Sequence, residues 1–155
     1  MLLSIDLFKA NESGKYTVVS DFHPYVYEFL SYCPKGTIRK VVYYQEIREN
    51  LFNLSFGDWD EDNERNNDNI RSNNLDRNKV LATVASTVID FINNHPRAII
   101  LVKGSTNART RLYQVEISAN LIEITMLFNI YGFFINSWEP FEPGKNYVQF
   151  ALRAK

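Results

Sequence analysis

The sequence predicts an α+β protein, with one domain over residues 1–155 built from a mixed, mostly antiparallel sheet and two main helices. Three observations predict this class. Runs rich in β-branched and aromatic residues occupy both ends of the chain, apolar residues recur at helical spacing over residues 78–94, and a continuous apolar strand follows. The order of elements is ββ(β)–α–β–α–ββ. A chain of 155 residues suits one hydrophobic core.

The first half of the chain predicts an antiparallel meander. Residues 26–31, 37–44 and 51–56 are rich in apolar, β-branched and aromatic residues. Residues 34–36, Pro-Lys-Gly, supply a turn between the first two of these strands. Residues 16–19 predict a further short strand ahead of the meander.

A polar loop follows the meander over residues 60–76. Between Asp58 and Asp76 the chain has seven acids and two bases, a net charge of −5. Because the whole chain is −1, the remainder is +4. We therefore expect a solvated, flexible acidic loop on a mildly basic body.

The helix predicted over residues 78–94 has clear end signals. Asp76 or Asn78 can cap its start, and residues 95–96, His-Pro, end it. The apolar stripe on one side predicts that this helix packs against the sheet.

A central strand and a second helix come next. Residues 98–102 form a continuous apolar run, which predicts a strand buried on both faces. Gly104 breaks this strand, and Ser105 or Thr106 can cap a helix that extends to about Ser118.

The last third of the chain predicts three more strands. Residues 128–131 and 133–138 are strand-like on either side of Gly132, and residues 147–153 form the final strand.

The segment over residues 102–113 is the one that carries candidate chemistry. A buried strand leads through a small-residue turn onto a helix start, where free N–H groups and the helix dipole favour an anion. The charges here are Lys103, Arg109 and Arg111, with no acid before Glu116. This arrangement predicts a phosphate-binding corner.

The first helix also begins with basic residues, and the two starts would converge if both helices flank the strand at one edge. Two structural alternatives remain open: Arg109 and Arg111 pair with the acidic loop, or they face solvent. The predicted ligand-binding residues are Lys103, Gly104, Ser105, Thr106, Arg109, Arg111 and Lys79.

Several other chemistries lack the residues that they need. Cys33 is the only cysteine, which excludes an internal disulfide and a cysteine metal cluster. The acidic run at residues 58–62 lacks the spacing of a calcium loop, so we predict no metal site. Neither His23 nor His95 has an orienting acid for a serine hydrolase, and no phosphate-binding glycine motif occurs.

Location is predicted from what the sequence lacks. No apolar run of about 18 residues occurs, and the start of the chain has no secretion signal. The single cysteine fits a reducing compartment. We expect a cytoplasmic protein with no membrane partner.

The whole chain resembles an uncharacterised family of small bacterial proteins, a domain of unknown function. This resemblance implies no activity. The matching stretches are residues 27–29, 34–36, 53–58, 80–85, 104–113 and 138–141.

The element order is also similar to the later two-thirds of the Gcn5-related acetyltransferase fold. Residues 107–113 resemble that family's helix with an Asn and a Leu-Tyr pair. The resemblance implies an acyltransferase with coenzyme A as cofactor and Tyr113 as general acid. However, the family's glycine-rich pyrophosphate loop would correspond to residues 73–79, which contain no glycine.

Three functions follow as hypotheses, and the residues leave open whether the protein is an enzyme. The first is a binding or regulatory protein for a phosphate-bearing ligand. The second is a divergent acyl-CoA-dependent acyltransferase, the one hypothesis that needs a cofactor. The third is a nucleic-acid-interacting component of a toxin–antitoxin or defence system, which the net charge of −1 does not favour. The aromatic surplus also leaves a homodimer open.

Overall fold

The computed structural model describes residues 15–20, 23–33, 36–60, 65–67 and 76–155. These residues form three helices and eight strands, which confirms the α+β class. In chain order the elements are β1 (Val26–Cys33), β2 (Gly36–Arg48), β3 (Leu51–Asp60), β4 (Arg65–Asn67), α1 (Arg77–Asn94), β5 (Ile99–Val102), α2 (Asn107–Ala119), α3 (Leu121–Leu127), β6 (Phe128–Phe134), β7 (Ser137–Pro140) and β8 (Gln149–Ala154).

The strands form a mixed, mostly antiparallel sheet, as predicted. They are hydrogen-bonded in the order β1-β2-β3-β5-β8-β6-β7, and β4 pairs with β3. β3 and β5 run parallel, with Leu51 opposite Ile99 and Leu54 opposite Val102. A parallel pair needs a long crossover, and α1 supplies it. β5 pairs with β8 and β8 with β6 in antiparallel fashion.

Contacts along the chain divide it into two compact units. The N-terminal unit comprises Met1–Gln45 and Ser55–Phe91, and the C-terminal unit comprises Glu46–Leu54 and Ile92–Lys155. The single domain over residues 1–155 stays a prediction. Most of the acidic loop at residues 60–76 lies outside the described residues, but Arg65–Asn67 within it pairs with β3.

Tyrosines fix α1 to the sheet of the N-terminal unit. The ring of Tyr44 stacks on Phe91 with the centroids 4.1 Å apart, and its hydroxyl lies 2.8 Å from that of Thr87. Tyr27 donates to Asp90 over 2.8 Å. Burial raises the pKa of both phenols above the ordinary value of 10, so they act as neutral donors.

The start of α1 is held by Asp76, although differently from the predicted cap. The carbonyl oxygen of Asp76 accepts the N–H of Val80 at 2.9 Å. Its carboxylate instead accepts from the hydroxyls of Ser31 at 2.5 Å and Tyr16 at 2.6 Å. The side chain therefore joins α1 to β1 and its preceding segment, a tertiary contact that local sequence does not reveal.

A buried ion pair lies between two strands of the same unit. Lys40 of β2 donates to Asp58 of β3, and the two residues are only 4% and 5% exposed. Phe29, opposite Lys40 in β1, stacks on Phe56. The second carboxylate oxygen of Asp58 is buried with no hydrogen-bond partner among the described residues. The sequence groups Asp58 with the acids of the polar loop, but the structure places it in the core of the sheet.

The C-terminal unit differs from prediction at Gly132. β6 continues through this residue, and the chain turns instead at Ile135 and Asn136. A Cβ at position 132 would lie 2.5 Å from Cε1 of Tyr147 and closer still to other ring atoms. Glycine is needed because the Tyr147 ring lies on the strand, and it does not end the strand.

Four other features of the elements differ from the prediction by smaller amounts. α3 was not predicted, because it begins directly after Asn120, which ends α2. Ile99 is exposed, so β5 is not buried on both faces as expected. Residues 16–19 make a single bridge, Val19 to Glu28, and not a strand. The last strand begins at residue 149 and not at residue 147 as predicted, because the Tyr147 ring packs against Gly132 of β6.

Replacing Lys40 with Met should destabilise the protein by about 3–5 kcal/mol, because Asp58 would be left buried and unpaired. The double variant Lys40→Met, Asp58→Leu should recover most of that loss. Urea unfolding measures both.

Arg39→Met on the same strand is the control. Its pair with Glu28 is partly exposed and should contribute about 0–1 kcal/mol. Equal losses for Lys40→Met and Arg39→Met would contradict a buried, strongly coupled pair.

Candidate functional site

The predicted corner lies where β5 leads into α2. β5 ends at Val102, and α2 begins at Asn107. Thr106 is the N-cap: its backbone is extended, and its hydroxyl accepts the N–H of Arg109 at 3.2 Å. Of the two predicted caps, the structure uses Thr106.

Gly104 holds the connecting loop against the first turn of α2. Its N–H donates to the hydroxyl of Thr110 at 3.0 Å. A Cβ on Gly104 would lie 2.6 Å from the Cβ of Arg109 and closer still to the Thr110 nitrogen. The Thr110 hydroxyl also reaches the carbonyl of Thr106 at 3.2 Å. Only glycine permits this approach, so the loop is tightly fixed.

The first turn of α2 still presents backbone donors. The N–H groups of Asn107 and Ala108 have no preceding carbonyl within the helix, and both residues are exposed. The first turn contains no acid. The positive end of the helix therefore faces solvent, and its cap, Thr106, is uncharged.

Basic side chains surround this helix start. Lys103 and Arg111 are exposed, and Arg109 is half-buried. Arg111 donates through Nη1 to the amide oxygen of Asn146. No ion pair joins Lys103 or Arg111 to another of the described residues. We call Lys103, Gly104, Ser105, Thr106, Arg109 and Arg111 the basic corner.

One structural alternative to a ligand is that Arg109 and Arg111 pair with the acids between Asp58 and Asp76. Asp58 pairs with Lys40, and Arg111 bonds to an amide. The remaining acids of that segment, apart from Asp76, lie in residues whose side chains are not described.

Lys79 lies in the N-terminal unit, near the start of α1. Its ammonium nitrogen is 4.3 Å from the centroid of the Tyr16 ring, a cation–π contact. The predicted convergence of the two helix starts stays a prediction.

The segment around Asn146, which bonds to α2, is not predictable from the sequence. Gln114, buried on α2, donates to the carbonyl of Lys145, and its amide oxygen accepts the N–H of Tyr147 at 3.2 Å. One amide therefore brackets the chain on both sides of Asn146. Nothing in the sequence distinguishes this glutamine from a surface one, because both partners are backbone groups 30 residues away or more.

Lys145, in the bracketed segment, forms ion pairs with two acids that precede it in the chain. Lys145 lies 2.7 Å from Glu139 and 3.3 Å from Glu142. The hydroxyl of Tyr147 donates to Glu139 at 3.0 Å. The hydrogen bond from Lys145 holds the pKa of Glu139 below 4.5, and burial raises the pKa of Tyr147 above 10. Lys145 is thus committed to this cluster.

Tyr113, the general acid implied by the acyltransferase resemblance, is half-buried on α2. Nothing about its environment tests that role. Within the described residues, no three His, Cys, Asp or Glu side chains are grouped so as to hold a metal ion.

The model of DUF6934, a family of unknown function, matches residues 12–155. The chain belongs to this family. No curated protein and no solved structure matches it. The first resemblance is therefore confirmed, whereas the likeness to the Gcn5-related acetyltransferase fold has no support. Among the described helices of this DUF6934 member, none is both long and apolar enough to cross a membrane.

Gly104→Ala should destabilise the protein by about 1–3 kcal/mol, because the methyl group would overlap the first turn of α2. Lys103→Ala, at the exposed neighbouring position, should stay within about 0.5 kcal/mol of the wild type. Urea unfolding compares the two. A Gly104→Ala protein as stable as the Lys103→Ala protein would show that the loop is not held by this approach.

The Glu139 cluster should give the protein a pH-dependent part of its stability. Because the folded pKa of Glu139 lies below 4.5, its contribution is present above that pH and is lost as the pH falls through the folded value. The difference in urea midpoint between wild type and Glu139→Gln should therefore shrink from about pH 7 to about pH 3. A constant difference would show that the carboxylate charge contributes nothing.

Proposed function

We propose that this DUF6934 member is a binding or regulatory protein that holds a phosphate-bearing ligand at the basic corner. One observation carries the proposal: α2 begins with basic side chains near the uncharged cap Thr106 and has no acid in its first turn.

The electrostatics of the corner favour an anion. Each cation near a helix N-terminus costs about 0.3–1 kcal/mol when exposed. A phosphate reverses that cost, since the N–H groups of Asn107 and Ala108 and the side chains of Lys103 and Arg111 would all face negative oxygens. The arrangement is unfavourable when empty and favourable when occupied.

The corner combines a fixed frame with accessible donors. Gly104 and Thr110 are buried and bonded to each other, which holds the loop. Lys103, Ser105 and Thr106 are exposed. A ligand could therefore reach backbone and side-chain donors without moving the frame, which lowers the entropic cost of binding.

Arg111 is the side chain best suited to donate hydrogen bonds to the ligand. Its bond to Asn146 orients the guanidinium without neutralising it, because an amide oxygen carries no net charge. A guanidinium has five N–H donors, so others remain for phosphate oxygens.

Binding can be tested by thermal unfolding with inorganic phosphate, a nucleoside monophosphate, coenzyme A and a short single-stranded DNA at fixed ionic strength. A ligand at 100 times its dissociation constant adds about 2.7 kcal/mol, which raises the midpoint by several degrees. Arg111→Met should abolish this rise.

Arg97→Met is the matched control, because Arg97 is exposed and precedes β5, at the end of the strand opposite the corner. It removes the same charge and should leave the rise intact. The proposal fails if no phosphate-bearing ligand raises the midpoint, or if both variants weaken binding equally.

A further inference from the structure

Arg111 and Gln114 both bond from α2 to one short segment of the chain. They are three residues apart, so they lie on the same face of the helix. Arg111 donates to the side-chain oxygen of Asn146. Gln114 donates to the carbonyl of Lys145 and accepts the N–H of Tyr147. Three consecutive residues are therefore each bonded to this face of α2, and we call residues 145–147 the docked segment.

The docked segment is anchored in the core by the ring of Tyr147. This residue is 4% exposed. Its ring centroid lies near those of three phenylalanines, at 6.0 Å from Phe134, 5.2 Å from Phe141 and 6.1 Å from Phe150. The ring also lies on Gly132 of β6, where a side chain would overlap it. This packing fixes the segment through groups outside α2, so the segment is a fixed reference for the side chains of that helix.

A single carboxylate oxygen holds the side chains on both sides of Asn146. Oε1 of Glu139 accepts from Nζ of Lys145 at 2.7 Å and from the hydroxyl of Tyr147 at 3.0 Å. Gln114 holds the backbone of the same two residues. Asn146, which is exposed, therefore lies between two neighbours that are each held twice, and this limits the directions that its amide can take.

Gln114 connects the docked segment to the basic corner. It is only 7% exposed, and its amide uses both a donor and an acceptor on backbone groups. Without these bonds, α2 would be less restricted relative to the segment, and the guanidinium of Arg111 would lose a fixed acceptor. An arginine gives up much rotamer freedom when it binds an anion, so a bond that orients it beforehand lowers the cost of binding.

We propose that Gln114 is a positioning residue of the basic corner. It holds α2 against the docked segment, and Asn146 of that segment directs the guanidinium of Arg111 before a ligand arrives. The inference rests on the proposed phosphate site for its effect on affinity, and it adds that the affinity depends on a buried amide outside the corner. Its structural half concerns the free protein, in which Gln114 orders Arg111 through Asn146.

The order of Arg111 in the free chain is measured by ¹⁵N relaxation of its side-chain Nε–H group. Gln114→Met keeps a side chain of similar length and removes both bonds, so it should lower the heteronuclear NOE of this group as far as Asn146→Ala does. Because Asn146 is exposed, Asn146→Ala tests the second link even where Gln114→Met does not fold. An Arg111 signal that either folded variant leaves unchanged overturns the proposal.

Calorimetric titration with inorganic phosphate at constant ionic strength, at a temperature where every variant is folded, measures the affinity. Gln114→Met should weaken binding about fivefold, because the ligand itself must then order Arg111. An affinity equal to that of the wild type overturns the proposal.

Tyr27→Phe is the matched control for a general loss of stability. It removes the hydrogen bond of a buried side chain to Asp90 in the N-terminal unit, and should leave the dissociation constant within about twofold. Equal weakening by Gln114→Met and Tyr27→Phe overturns the proposal. A wild type that does not bind phosphate, while the Arg111 signal responds as expected, overturns the proposed function alone.

Discussion

The close approach of Gly104 to the first turn of α2 is the constraint on which the C-terminal unit depends. It fixes the direction in which the helix leaves β5. The same helix carries Gln114, whose side-chain amide bonds to the backbone of Lys145 and Tyr147 on either side of Asn146. The ring of Tyr147 in turn lies on Gly132 of β6. The glycine at position 104 therefore affects where residues 145–147 lie, and Asn146 in that segment orients Arg111.

The N-terminal unit is held together differently. There the sheet and α1 are joined by polar atoms at the tips of aromatic side chains, as in the contacts of Tyr27 with Asp90 and Tyr44 with Thr87. Such buried hydrogen bonds add modest net stability, but a packing that leaves one of these polar groups unpaired is strongly destabilised. They therefore favour one arrangement of α1 on the sheet. The buried pair of Lys40 and Asp58 has the same character. Directional polar contacts set the geometry of this unit, and apolar burial supplies most of its stability.

Features governed by neighbours in sequence were predictable. Apolar periodicity predicted α1, whereas the break at Gly104 and the cap candidates after it, Thr106 among them, predicted α2, because a helix and its cap are local. Features governed by distant contacts were not. Gly132 was interpreted as a break because the Tyr147 ring above it is not visible in sequence. Asp58 was grouped with the acids of the loop because Lys40, its partner, lies 18 residues away. The basic corner follows from local charge and capping, whereas the Asn146 contact that orients Arg111 needed the tertiary structure.

Backbone amide NMR shifts of the full chain during titration with inorganic phosphate at constant ionic strength would test the proposed corner at the level of single atoms. The N–H groups of Asn107 and Ala108 are the donors that the helix leaves open, so their signals should move in a saturable way, and more than those of α1. Saturable shifts there, lost in Arg111→Met and kept in Arg97→Met, would establish an anion site at the start of α2. Signals that stay still or drift linearly, as under weak screening by any salt, would contradict it.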